Sequence, residues 1–396
     1  MSSSQRLLGF LLVILLAALV LRLAFRRLPL PYPVLLALAG VGLGFLPFLP
    51  KQTIGADLIL LVFVPGLVFE AALGLDLGQL RRALVPVSLL ATAGVVLTVA
   101  LIGVATHYGL GLNWPSAFLL GAILAATDPI AVVTFLRQLR APGRLVAIMD
   151  GESLFNDGTG VAVFSAVLAS IVAGTTGVGD FLLRLALITL GGALAGLLVG
   201  LVGVAVVRIF NEASFEIMAT LAIAYGSYLV ADVLHVSGVV AVVSAGLVVA
   251  RFARLKGTQL LGFWGILAFL LNAVLFVMVG AALPTVDVLA SLGLVLLAYL
   301  VMFASRAVPV YGLLAVADPR ALAIPWRWRH LVFWGGIRGA LAIALALSAA
   351  SVAAVDPRVP TLAYGAVVLS LFVQGGLIEI VAGRLRIGQG AQAAEP

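Results

Sequence analysis

The stretch GESLFNDG, residues 151–158, places two carboxylates, a serine and an amide in a chain that then continues as TGVAVFSAVLASIVAG. In a soluble protein, Glu152 and Asp157 would belong to a polar loop between two apolar segments. In a membrane protein, ionised side chains are costly to bury, and they mark ion or substrate pathways. The composition of the whole chain decides between these two interpretations.

The composition favours a membrane protein. The 396 residues are 63% hydrophobic and 10% charged, with a mean hydropathy of +1.25, whereas a soluble domain carries about 25% charged residues. The sequence has no cysteine and three widely spaced histidines, so neither disulfides nor a Cys- or His-rich metal motif is expected. No G-x-x-x-x-G-K-[ST] motif occurs, and the net charge of +7 is spread through short loops. Neither nucleotide nor nucleic acid is therefore expected as a ligand.

Apolar stretches of about 20 residues, the length that crosses a bilayer, predict an all-α integral membrane protein of about 13 spans. We interpret the first stretch as a spanning helix and not as a signal peptide, because Arg22, Arg26 and Arg27 follow its apolar run. The chain 1–396 is expected to form one membrane unit without a soluble tail domain. The predicted spans are 7–25, 30–47, 54–73, 84–106, 115–136, 145–173, 181–207, 215–234, 236–253, 262–283, 286–306, 330–350 and 360–383.

The basic residues predict the orientation. Most of the 23 lysines and arginines fall in loops that follow odd-numbered spans, among them Arg81, Arg82, Arg137 and Arg140. Cytoplasmic loops carry such an excess. We therefore expect a protein of the cell (inner) membrane, with its N-terminus outside and its C-terminus in the cytoplasm.

The number of spans suggests an internal repeat. Thirteen spans divide into six, one and six, which predicts two inverted six-helix units, a common layout of secondary transporters. The tripeptide Ser153-Leu154-Phe155 of span 6 recurs as Ser370-Leu371-Phe372 in span 13 and gives weak support to that division.

Span 5 contains GAILAATDPIAVVTFL, residues 121–136, with an acid beside a proline in the middle of the membrane. Pro129 has no N–H to donate, and it disfavours helical geometry at Asp128. One explanation is a simple kink. The other is a broken helix, whose exposed peptide dipoles would bind an ion or a substrate.

Span 6 carries its polar groups on two faces. At about 100° per residue, Asp150, Ser153 and Asp157 share one face, whereas Glu152 and Asn156 point to a neighbouring face. Asp157 is expected at depth because the sequence after it is apolar. Asp150 is expected either on the same site or, solvated, at its cytoplasmic entrance.

Span 12 reads HLVFWGGIRGALAIALALS, residues 330–348, and its glycines around Arg338 favour unwinding or close approach. A buried arginine needs a partner, and Glu152 is the predicted one. The alternative is an arginine that extends to the interface. For Arg306, near the end of span 11, this interfacial position is the expectation.

Span 3 contributes Glu70, one turn after Pro65 and Gly66. It is expected to lie at the membrane interface unless span 3 packs against spans 5 and 6, where it would be a ligand or an access gate.

Carboxylate, hydroxyl and carbonyl oxygens are the ligands that hard cations such as Na⁺ prefer. Because burial also favours protonation of a carboxylate, proton and cation would compete for the same oxygens, and alternating access would turn that competition into exchange.

Three motifs carry a family resemblance. ATDPIAVV, GESLFNDGTGVAV and FWGGIRGALAIAL resemble the signature stretches of monovalent cation/proton antiporters, in particular the NhaP and eukaryotic Na⁺/H⁺ exchanger-like subfamily. The resemblance implies an NhaA-like antiporter fold with spans 5 and 12 broken. It also implies a homodimer in which a core domain around spans 3, 5, 6, 10, 12 and 13 moves against a dimerisation domain formed by the other spans.

The same resemblance implies roles for single residues. Asp157 would be the central carboxylate for cation and proton. Asn156 would bond Thr127 and hold the break in span 5, and Glu152 with Arg338 would form the core ion pair. The expected Na⁺ ligands or close neighbours of the ion are Asp157, Asp128, Ser153, Thr127 and Glu70.

The implied activity is electroneutral exchange of Na⁺ or Li⁺ for H⁺ without a cofactor, because Asn156 is uncharged where an electrogenic branch has a second aspartate. Gly66 stands where many relatives have a second proline, and the long cytoplasmic tail of many members is not expected here.

The alternative functions are a K⁺/H⁺ antiporter of the same fold, a cation channel, an organic-anion transporter and a membrane protease. The protease is disfavoured because HVSG, residues 235–238, lacks the leading glycine of its motif.

Overall fold

The computed structural model describes residues 32–44, 59–174, 177–209, 212–253, 258–282, 290–316 and 324–387, with isolated positions between 9 and 20. These residues form helices and connecting turns, and no strand occurs among them. The predicted all-α fold is confirmed. Most of predicted span 1 lies outside the described residues. Each of the other predicted spans overlaps a helix or a pair of helices.

Seven helices of the described chain are long and apolar enough to cross a membrane, and several shorter apolar helices accompany them. We number the helices α1 Tyr32–Gly44, α2 Ile59–Gly74, α3 Leu77–Arg82, α4 Leu84–Leu110, α5 Trp114–Ala125, α6 Ile130–Gln138, α7 Gly143–Ala173, α8 Val178–Val207, α9 Ala213–Val233, α10 Gly238–Phe252, α11 Thr258–Ala282, α12 Leu292–Leu313, α13 Trp326–Trp334, α14 Ala340–Ala350 and α15 Arg358–Arg384.

Two spans are broken, as predicted. Residues 126–129 separate α5 from α6, and residues 335–339 separate α13 from α14. The first break follows from Pro129, which offers no N–H to the preceding turn. The second contains three glycines, which have little tendency to remain helical.

Helix α7 answers the question raised by GESLFNDG. It runs unbroken for 31 residues, from Pro142 as its N-cap to Gly174, whose positive φ of 65° ends it. At 1.5 Å per residue it is about 46 Å long, and Asp157 lies near its midpoint. The acidic stretch therefore belongs to the middle of a membrane-length helix and not to a loop.

The helices pack in two groups. The core group consists of α4, α5, α6, α7, α12, α13, α14 and α15, and the scaffold group consists of α1, α2, α8, α9, α10 and α11. The groups meet where α7 packs against α8 and α10, and where α14 packs against α11. Spans 3 and 10, expected in the core domain, are α2 and α11, and these two helices pack mainly with the scaffold group.

Close glycine contacts hold the scaffold group together. Gly40 of α1 and Gly280 of α11 lie against each other's main chain, and Gly196 of α8 lies against the main chain of Ala241 in α10. A side chain at these positions would separate the helices. Such contacts are typical of helix packing in lipid, where association depends on close approach.

Candidate functional site

The break in span 5 is closed by side chains of α7. The Thr127 main-chain N–H donates to Asn156 Oδ1 (3.2 Å), and Asn156 Nδ2 donates to Thr127 Oγ1 (2.6 Å). Ser153 Oγ donates to the Thr127 carbonyl oxygen (2.6 Å). These bonds replace helical ones that the break removes, since buried polar groups of the main chain need partners. The Asn156–Thr127 contact that the family resemblance implied is thus present.

The two breaks touch each other. The Asp128 main-chain N–H donates to the carbonyl oxygen of Ile337 (2.7 Å), and the Arg338 main-chain N–H donates to Ser370 Oγ (3.0 Å). The Asp128 carboxylate lies where a side chain on Gly339 would project. Its Oδ1 accepts the N–H of Ile130 (3.1 Å), in the first turn of α6. Glycine at position 339 is therefore what lets the acid reach the crossing point.

A cavity of about 100 Å³ lies at this crossing. The predicted polar face of α7 borders it, with Asp150, Ser153 and Asp157, and so do Thr127 and Asp128. The opposite wall comes from the scaffold group: Asn272 of α11 and apolar residues of α2. Asn272 did not stand out in the sequence, because a single amide within an apolar helix has no distinguishing pattern.

Glu70, an expected ligand, is not among the residues that line this cavity. It lies instead within electrostatic reach of Arg137 and Asp150, which form an ion pair (Nη2 to Oδ2, 2.7 Å). The structure thus brings Asp157, Asp128, Ser153 and Thr127 together and places Glu70 beside a second cluster of charges.

The oxygen atoms at the crossing suit a monovalent hard cation. They belong to the two carboxylates, to the hydroxyl groups of Ser153 and Thr127, to the main chain and to the side-chain amide of Asn272. Within the described residues, no three His, Cys, Asp or Glu side chains come together as a metal site. A water needs about 10–15 Å³ of such volume, so the cavity accommodates an ion with part of its hydration shell.

The ion pair made by Glu152 differs from the predicted one. Arg306 Nη1 lies 2.8 Å from Glu152 Oε1, and Arg306 Nη2 donates to Glu152 Oε2 (3.1 Å) and to the Val332 carbonyl oxygen (3.0 Å). The two side chains are 8% and 5% exposed. The prediction that Arg306 extends to the interface is therefore wrong. The ion pair that the structure describes for Glu152 is with Arg306 and not with the predicted Arg338.

The physical reason lies in the break of span 12. Gly336 has no side chain, and the Arg306 guanidinium occupies the space where one would project. Arg338 is 1% exposed, and its Nε and Nη1 atoms have no hydrogen-bond partner. It lies within electrostatic reach of Glu152, Asp157 and Arg306. Two buried arginines, Arg306 and Arg338, therefore lie close to the acidic residues of α7.

Comparison with known proteins places this arrangement in a family. The family model described as "Sodium/hydrogen exchanger, transmembrane" matches residues 11–383. The chain is 36% identical over 379 residues to the Na⁺/H⁺ antiporter ApNhaP of Aphanothece halophytica, a match that covers 93% of this chain and 72% of that protein. It is 32% identical over 391 residues to the Na⁺/H⁺ antiporter NhaS2 of Synechocystis, covering 97% of this chain and 72% of that protein.

A solved structure shows the same fold. The sodium proton antiporter MjNhaP1 of Methanocaldococcus jannaschii superposes with a TM-score of 0.76 at 22% identity, and the match covers 98% of each chain. With the family model matching nearly the whole sequence, the chain belongs to the sodium/hydrogen exchanger family, whose members are multi-pass membrane transporters and not enzymes.

Proposed function

We propose that this protein exchanges Na⁺ or Li⁺ for H⁺ by secondary active transport. The observation that carries the proposal is the convergence of Asp128 and Asp157 with Ser153 and the Thr127 main chain at the contact between two helix breaks. Relatives of this chain are named Na⁺/H⁺ antiporters, which supports the choice of ions.

The chemistry proposed is competition for one set of oxygens. Two carboxylates in a small, largely apolar cavity are costly to keep ionised when no cation is bound between them. A proton relieves that cost, and so does an alkali cation. Asp157 is the central exchanging carboxylate in this mechanism, the role that the family resemblance implies for it, and it lies on the unbroken helix α7 at the cavity wall. Asp128, Ser153 and Thr127 complete the coordination.

Alternating access follows from the two packing groups. The carboxylates belong to the core group, whereas Asn272 and the α2 residues facing them belong to the scaffold group. Movement of one group against the other would change which side of the membrane reaches the cavity. We therefore assign α2 and α11 to the dimerisation domain and propose Asn272 as a scaffold-side contact of the ion.

Stoichiometry follows from Asn156. Its amide oxygen and nitrogen are both engaged by Thr127, and the amide carries no charge. With an amide at this position, the family resemblance implies that one proton is exchanged for one cation at Asp157 and Asp128, and transport is then electroneutral.

The assembly proposed is a homodimer in the cell membrane, with the C-terminus in the cytoplasm. Support comes from the outward face of α8, where Leu182, Leu187, Leu190 and Leu194 are exposed. A contiguous apolar face of this kind requires lipid or a partner.

The experiment is reconstitution into liposomes with a pH-sensitive dye inside. An imposed pH gradient should collapse on addition of Na⁺ or Li⁺, and Asp157→Asn should abolish this response. Asp180→Asn is the matched control, because Asp180 is an exposed acid in the first turn of α8. Undiminished exchange in Asp157→Asn sinks the site assignment. A response to K⁺ in place of Na⁺ identifies a K⁺/H⁺ antiporter, and flux that follows voltage but not the pH gradient identifies a channel.

A further inference from the structure

The ion pair between Arg137 and Asp150 joins a residue that lines the cavity, Asp150, to an exposed residue that does not line it, Arg137. Arg137 is in the last turn of α6, and Asp150 is in the second turn of α7. The two side chains are 57% and 22% exposed. Asp150 also lines the cavity that holds Asp157. The Asp150 carboxylate therefore borders the ion site and is also partly accessible from the surface.

The spacing along α7 places Asp150 in line with Asp157 on one face of the helix. Asp150 and Asp157 are seven residues apart, which is two helical turns or about 10.5 Å on one face. Glu70 of α2 lies within electrostatic reach of Arg137 and Asp150. Two acids and one arginine therefore lie within electrostatic reach of one another at this end of the cavity, with a net charge of one negative unit when all three are ionised, and local negative charge attracts cations.

The Arg137–Asp150 ion pair is weaker than a fully buried ion pair. Exposed ion pairs are weak, because water competes and two long side chains lose freedom. The buried pair of Glu152 with Arg306 has no such competitor. A cation arriving from solution can therefore replace Arg137 on Asp150, whereas it cannot replace Arg306 on Glu152.

We propose that Asp150 is a first binding position for the entering cation and that Arg137 occupies this position until the cation displaces it. The proposal rests on the cation/proton exchange proposed above. It makes Arg137 a competitor of the transported cation, and so a determinant of the apparent KM without a part in the exchange at Asp157.

A purely structural role is the competing account. The pair also ties the end of α6 to α7, and a clamp of that kind would be lost in the same way whichever partner is removed. The two accounts predict different signs. If Arg137 competes with the cation, Arg137→Gln lowers the apparent KM for Na⁺, and Asp150→Asn raises it. If the pair is only a clamp, both variants change activity and melting temperature in the same direction.

The test measures Na⁺-dependent exchange in proteoliposomes, with ionic strength held constant by choline chloride. We expect a KM about threefold to tenfold lower in Arg137→Gln and about threefold to tenfold higher in Asp150→Asn, because one unit charge of the ion pair is changed in each. Arg137→Lys should stay near the wild type. Arg82→Gln is the control for loss of one exposed positive charge, because Arg82 lies in the last turn of α3. The differences between variants should shrink as choline chloride is raised, since salt screens exposed charges.

Shifts of KM in the same direction in both variants overturn the proposal, and so does an unchanged KM in both. Asp157→Asn, measured alongside, separates this outcome from failure of the exchange mechanism. An inactive Asp157→Asn with same-direction shifts in the Arg137 and Asp150 variants rejects only the competition at Asp150, whereas an active Asp157→Asn rejects the proposed ion site itself.

Discussion

Ser153 and Ser370 occupy corresponding places beside the two helix breaks. Ser153 Oγ donates to the carbonyl oxygen of Thr127, and Ser370 Oγ accepts the main-chain N–H of Arg338. Each serine lies on the long helix that follows the broken one. Helices α4 and α12, which precede the breaks, each contain a π-helical turn. These correspondences support an inverted repeat with α4–α7 and α12–α15 as matching halves of the core group.

The two halves of the proposed repeat differ in chemistry. Four residues after each serine lie Asp157 in the first half and Gln374 in the second. Gln374 Nε2 donates to the Trp334 carbonyl oxygen (3.0 Å), so an uncharged side chain fills this place. One half therefore supplies the exchanging acid, and the other supplies the crossing main chain that supports it.

The first prediction concerns the buried ion pair. Arg306→Ala leaves the Glu152 charge without its partner, and removal of one member of a buried pair costs about 3–5 kcal/mol. Arg338→Ala removes a guanidinium with two unpartnered N–H atoms, so its cost should be smaller. Thermal unfolding in detergent should give the lower Tm for Arg306→Ala. A larger loss of Tm in Arg338→Ala contradicts the pairing.

A double-mutant cycle sharpens this result. Glu152→Gln and Arg306→Gln should be coupled by about 0.5–3 kcal/mol, the range for residues in direct contact. The same cycle with Arg338→Gln should give a smaller coupling energy. Equal coupling in the two cycles would show that Glu152 is shared between both arginines.

A second prediction concerns Gly339. Gly339→Ala places a methyl group against the Asp128 carboxylate, so the acid must move away from the crossing point. We expect exchange to fall by at least about tenfold, because small displacements of reacting groups have large effects on rate. Gly376→Ala in α15 is the matched control, since a methyl group there meets no atom within 4 Å. Normal exchange in Gly339→Ala would remove Asp128 from the coordination sphere.

The broken helices, the faces of α7 and the convergence of four of the five expected ligands were predictable from the sequence. Local rules suffice for the break in span 5 and for the faces of α7: proline beside an acid breaks a helix, and the helical period fixes which α7 side chains share a face. The convergence of the ligands was implied by the family resemblance of the three motifs. The partner of Glu152 was not predictable in this way. Arg306 is 154 residues away, and its position near a helix end resembles that of an interfacial arginine.

The positions of α2 and α11 relative to α7 were also not predictable from the sequence. Glu70 and Asn272 lie on these two helices, and their local sequence contains no information on the distance between each helix and α7. For the same reason the sequence does not show that α2 and α11, expected in the core domain, pack mainly with the scaffold group. Membership depends on close contacts such as those of Gly40 and Gly280, which are tertiary and carry no periodic signal.

A third prediction concerns charge balance. Because Asn156 contributes no titratable group, exchange should leave the membrane potential unchanged. A voltage-sensitive dye should give no response to Na⁺-driven exchange, and clamping the potential with K⁺ and valinomycin should leave the rate unaltered. Asp180→Asn provides a matched loss of an acid outside the site. A rate that follows the clamped potential would show that the charge of the protons moved does not equal the charge of the cations moved.

The last prediction concerns pH. If proton and cation bind the same carboxylates, acidification should raise the apparent KM for Na⁺, because a larger share of the sites already holds a proton. Once the site is mostly protonated, competition predicts a rise of up to about tenfold per pH unit. Saturating Na⁺ should restore the full rate at each pH, with equal pH imposed on both sides of the vesicle in a Na⁺/Li⁺ exchange assay. The kinetic parameter that changes distinguishes the two mechanisms, since a separate regulatory proton would lower the maximal rate and leave KM constant. A falling maximal rate with constant KM would place the controlling proton outside the Asp128–Asp157 cavity.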